Sequence, residues 1–98
     1  MQHQKSINMN DKPKLRKTVK FVDEGTYGWI FTQDTPPNNI KAVNELGAFI
    51  IRLCDGEHKV QSIFNKLVEK FPNIPQKTLE HDFLTFLNKC IRMGVIEI

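Results

Sequence analysis

Three histidines and two cysteines are the side chains of this chain best suited to catalysis or metal binding. His3 lies in a polar N-terminal stretch, and His58 follows a turn beside Glu57. His81 shares the polar side of a helical pattern with Thr85 and Asn88. No two histidines stand at metal-ligand spacing, and no cysteine is set locally against a histidine as a nucleophile against its base. Cys54 and Cys90 fall inside apolar helical patterns with no CxxC, which reads as small buried hydrophobes of a reduced compartment. The glycines are scattered punctuation, so no phosphate-cradling loop is present. The residues therefore point to no catalytic set, no metal site and no cofactor.

Recognition chemistry is better represented. Residues 39–43 form a short strand candidate isolated after Pro36 and Pro37, and so are expected at a sheet edge with one row of backbone groups unpaired. The last helical pattern is wider than a surface helix of a small domain needs. Leu79, Phe83, Phe86, Leu87 and Cys90 make its main face, with Leu84 and Ile91 widening one margin and Met93 the other. One margin can line an apolar groove beside the sheet; equally, both can be ordinary core under loops. Lys41, Asp82 and Lys89 are placed to grip a charged partner, or to be solvated surface. An extended peptide could pair with the strand edge while its apolar side chains enter the groove.

The elements that must position these groups follow from pattern. Residues 17–22 and 27–32 alternate or are rich in aromatic and β-branched types, and a turn cluster at 23–26 joins them into a hairpin. Asn44 caps a first helix carrying Leu46, Phe49, Ile50 and Leu53 on one stripe, and Gly56 follows its end. A second helix holds Val60, Ile63, Phe64, Leu67, Val68 and Phe71 at every expected position. The third runs from about Pro75 to Met93, and residues 95–98 form a short closing strand or packed tail. The expected fold is α+β, a three-stranded antiparallel sheet followed by three helices.

Composition narrows the function. The 98 residues carry a net charge of +3, and a single core typically serves about 100–200 residues. Residues 1–17 hold five basic side chains against Asp11, while the remaining 81 hold nine basic against ten acidic. The positive charge therefore belongs to the N-terminal stretch, expected as a disordered basic tail over 1–17 ahead of a domain at 18–98. A body so nearly neutral excludes a generally basic nucleic-acid surface. No apolar run approaches the roughly 18–20 residues of a membrane span, and no secretory signal is present. A cytoplasmic protein with no membrane partner is expected.

The string VNELGAFIIRLCDG at 43–56, followed by Val60 and Ile63 in a V-x-x-I spacing and by the closing MGVIEI at 93–98, resembles the PqqD-like family. These are the recognition elements for ribosomally synthesised, post-translationally modified peptides, and the likeness covers residues 13–98. Leu46 departs from the small hydroxyl residue the family has before its glycine, and Lys59 from the threonine that would cap the second helix. The resemblance implies a winged-helix-like domain that acts as a non-catalytic peptide chaperone. It would hold the leader segment of a precursor peptide as an added strand and present it to a modifying enzyme, a radical S-adenosylmethionine protein. Carried over by position, Ile40, Lys41, Ala42 and Val43 would supply the ladder, and Asp82, Phe83, Phe86, Lys89 and Cys90 the groove. The alternative is a winged-helix DNA-binding protein. Against it, the third helix has Lys77, Lys89 and Arg92 but also Glu80 and Asp82, too little positive charge for a recognition helix.

Overall fold

A computed structural model describes residues 7–32 and 39–98. Its elements are β1 (Lys14–Leu15), β2 (Val19–Asp23), β3 (Gly28–Thr32), β4 (Asn39–Val43), α1 (Glu45–Leu53), α2 (Val60–Lys70), α3 (Gln76–Arg92) and β5 (Ile96–Glu97). β2, β3 and β4 form an antiparallel sheet in that order, and three helices follow, an α+β fold of the class expected. One strand was not expected: β1 pairs with β5 in a second, two-stranded sheet, with Lys14 opposite Glu97 and Leu15 opposite Ile96.

That pairing corrects the expectation of a disordered tail over 1–17. Residues 1–6 lie outside the described residues, but from residue 7 the chain is packed onto the body. Pro13 is fully buried, and Ile7, Met9 and Leu15 pack against the core. The Leu15 N–H donates to Cys54 O and the Arg16 N–H to Val95 O, while Asp11 O accepts from Val60 N and Met9 O from Gln61 N. The segment has no helical or strand period because, beyond a local turn at residues 8–11, its backbone partners are distant in sequence. Its basic side chains Lys12, Lys14, Arg16 and Lys17 remain exposed.

The β2–β3 hairpin turns as expected. Gly25 takes a φ of +94°, a left-handed conformation that glycine adopts without steric cost, and its N–H donates to Asp23 Oδ1 at 2.9 Å. Register places Phe21 opposite Ile30 and Ile30 opposite Lys41. One sheet face therefore presents Val19, Phe21, Ile30 and Val43 to the core, and all four pack there. The other carries Val22, Trp29, Phe31 and Ile40.

The hairpin is tied to α1 by Arg52, whose Nη2 donates to Asp23 Oδ1 at 2.8 Å. This guanidinium, helped by the Gly25 N–H, holds the Asp23 carboxyl at about 2, below its ordinary 3.8. The pair's contribution is full above about pH 4 and is lost as pH falls toward 2. Asp23→Asn is expected to flatten the acid limb of a stability profile between those values, with the difference shrinking in salt because the pair is exposed. A thermal unfolding series against pH measures it.

The helices form for the reasons their sequences give. Asn44 caps α1, its side-chain oxygen accepting from Gly47 N–H at 2.9 Å, and Gly56 and Gly94 take positive φ beyond α1 and α3. Lys59 gives α2 no side-chain cap. The core gathers Ile50, Ile63, Leu67, Leu79, Phe83 and Leu87, each at most 1% exposed. No helix among the described residues is long and apolar enough to cross a membrane.

Candidate functional site

β4 is an outer strand of its sheet, so one row of its backbone N–H and C=O groups faces away from β3. Next to that edge a groove of about 400 Å³ opens between β4 and α3. Lys41, Ala42 and Val43 form one wall, and Phe86, Lys89 and Cys90 the other. Ile30 lies behind them, with Asn44, Met93 and Val95 completing the lining. A second hollow of about 270 Å³ adjoins it, where Asp82, Thr85 and Lys89 of α3 face Leu46 and Gly47 of α1. Phe86 borders both.

Six of the nine residues expected from sequence thus meet in the groove, and Asp82 lies in the adjoining hollow. Two stand elsewhere. Phe83 is 0% exposed and its ring stacks on Phe64, with centroids 5.9 Å apart and planes 22° apart. It is core, out of reach of a peptide, because it lies on the side of the α3 stripe that meets α2. Ile40 does not line the groove: its side chain is 58% exposed on the outward face of the sheet, opposite Phe31. Of the residues widening the stripe, Leu84 and Ile91 pack against the core, while Met93 is 39% exposed and lines the groove. Sequence reasoning passed over Ile30, Asn44 and Val95. For Ile30 the signal was its place opposite Lys41, which follows only once the strand register is known.

Gly47 sets the distance between the groove and α1. A Cβ at this position would lie 3.1 Å from two carbons of the Phe86 ring and 3.2 Å from Val43 Cβ, touching both walls. A glycine inside a helix costs about 0.8–1.0 kcal/mol relative to alanine, and close packing on Phe86 and Val43 is what this position gains in return. Gly47→Ala is expected to recover that helical term but to lose about 1–3 kcal/mol to overpacking. A net loss of up to about 2 kcal/mol in urea unfolding should accompany displaced Phe86 ring resonances.

The site offers contacts rather than reaction chemistry. Both thiols are free and buried, and burial pushes Cys54 and Cys90 up to about 12, with Lys89 pulling Cys90 back in part. A thiol held there is protonated at neutral pH and is a poor nucleophile. His58 is engaged by Asp55, its Nδ1 3.0 Å from Oδ1, in the turn before α2 and away from the groove. Among the described residues no group of three His, Cys, Asp or Glu side chains could hold a metal ion. What the groove provides is an unpaired strand edge, an apolar floor and two ammonium groups.

The family model described as coenzyme PQQ synthesis protein D (PqqD) matches residues 23–96, which span β3, β4 and all three helices and end at the first residue of β5. Neither the curated proteins nor the solved structures contain a match to the chain.

Proposed function

The chain belongs to the PqqD family, and from that premise we propose that it binds the leader segment of a ribosomally made precursor peptide and presents it to a modifying enzyme. Membership makes the chain an accessory protein of PQQ or related modified-peptide biosynthesis. In the finer reading it catalyses nothing. The leader adds as a strand to β4, its alternate side chains enter the groove, and the enzyme served is a radical S-adenosylmethionine protein.

The observation that carries this reading is the open β4 edge lying directly beside an apolar groove. Backbone pairing alone is too weak. Three or four hydrogen bonds at a net ~0.5–1.5 kcal/mol each fall short of the roughly −8 kcal/mol of micromolar binding. Burying apolar side chains adds about 1.5–3 kcal/mol for each one fully covered. Affinity is therefore shared between edge and groove, with specificity set by the side chains that fit beside Val43 and Phe86.

The test is a titration of the isotope-labelled protein with the leader half of a short peptide encoded beside its gene, followed by amide NMR. Shifts confined to residues 40–43 and the groove side of α3, saturating in the micromolar range or tighter, are expected. Saturable binding that leaves residues 40–43 unmoved would overturn strand addition. No binding by such a peptide would overturn leader recognition itself.

A further inference from the structure

Resting on the strand-addition reading, we propose that the groove selects a leader segment carrying an aspartate or glutamate two positions from a large apolar residue, the carboxylate lying between Lys41 and Lys89. The charges of the groove argue for it. Lys41 stands on one wall and Lys89 on the other, and no acidic side chain lines the space between them. Neither lysine has a carboxylate partner among the described residues, where Asp23 is paired with Arg52 and Asp55 with the His58 ring. Asn44, the other polar side chain of the lining, already spends its amide oxygen on the α1 cap. A wholly apolar strand would crowd two ammonium groups without a counter-charge, and a basic one would be repelled.

The spacing follows from strand geometry. Lys41 and Val43 point to the same side of β4, since they lie opposite Ile30 and Gly28 on the inner face of the sheet. Successive side chains of an added strand alternate between the groove and the outer face. Two groove-facing positions are thus separated by one residue, one beside the Lys41 ammonium and the next beside Val43 and Phe86. Asp82 in the adjoining hollow adds a direction, because a second acidic side chain reaching past Phe86 would meet a carboxylate there.

The probe is the same leader-half peptide, together with copies in which each Asp or Glu is replaced in turn by Asn or Gln, titrated into the full chain. One replacement is expected to weaken binding about three- to tenfold, with the gap closing at high salt while the shifts at residues 40–43 persist. In Lys41→Glu and Lys89→Glu the loss should appear without the peptide change, and a peptide with Lys at the sensitive position should restore binding. Equal affinity of every copy, or tight binding at residues 40–43 by a leader with no acidic residue, overturns the charge selection and leaves strand addition standing. A peptide that binds without moving residues 40–43 overturns both.

Discussion

Phe83→Ala is expected to cost the fold about 3–5 kcal/mol, as phenylalanine truncation in a closed core does. The side chain is 0% exposed and stacked on Phe64, so the space it leaves opens between α2 and α3, far from any surface that could close over it. Against the ~5–15 kcal/mol that holds a typical domain together, this is a large share. About 4–8 °C of melting temperature goes with each kcal/mol in a domain of this size, so thermal unfolding by circular dichroism should fall by more than about 10 °C. Phe86→Ala, one turn away, is the control. Its half-buried ring borders the groove, so it should lose less than half as much stability and a larger share of peptide affinity. Equal melting temperatures for the two variants would show that the division of α3 into a core side and a groove side is wrong.

Proline in β4 is expected to separate folding from binding. In an antiparallel ladder alternate residues direct both backbone groups to one neighbour, so of Lys41 and Ala42 one faces β3 and the other faces the open edge. Proline removes the N–H and puts a ring in its place. At the position facing β3 it removes a ladder hydrogen bond and wedges a ring against β3, lowering stability by more than the ~0.5–1.5 kcal/mol of the bond itself. At the position facing outward the fold survives, and an added strand loses a hydrogen bond and meets the ring, for a loss of tenfold or more in affinity. Comparing melting curves and peptide titrations for Lys41→Pro and Ala42→Pro checks this. Two stable variants that both bind normally would remove β4 as the docking edge.

The helices and the hairpin were legible because their causes are local. Asn44 caps α1 where a good cap residue precedes an apolar stripe, and the six apolar positions of the second helix recur at helical spacing. β4 was legible down to its bounds, since prolines before it and a cap after it leave only residues 39–43. Phe83 and Phe86 were not separable, because both fall within one apolar arc and periodicity does not say where the arc leaves the core. The partners decide that: Phe64 covers one ring, while Gly47 lets α1 approach the other and leaves it facing the groove. β1 was illegible for the opposite reason. Its residues have no pattern of their own, and Leu15 and the adjoining Arg16 donate to Cys54 and Val95, far along the chain.

The β1–β5 pairing also sets an order of events during synthesis. Leu15 meets Ile96, closing a loop of about eighty residues, a span whose entropic cost grows only as the logarithm of its length. The difficulty is one of timing. At about 5–20 residues per second on the ribosome, residue 15 waits several seconds before residue 96 exists. The hairpin, β4 and the first two helices can assemble meanwhile, and Asp11 and Met9 can already find Val60 and Gln61. Only the last few residues complete the ladder that Lys14 and Leu15 begin. A nascent chain halted inside α3 would therefore expose Leu15 without its partner strand, and protease sensitivity of stalled chains should drop abruptly once residues 95–97 emerge.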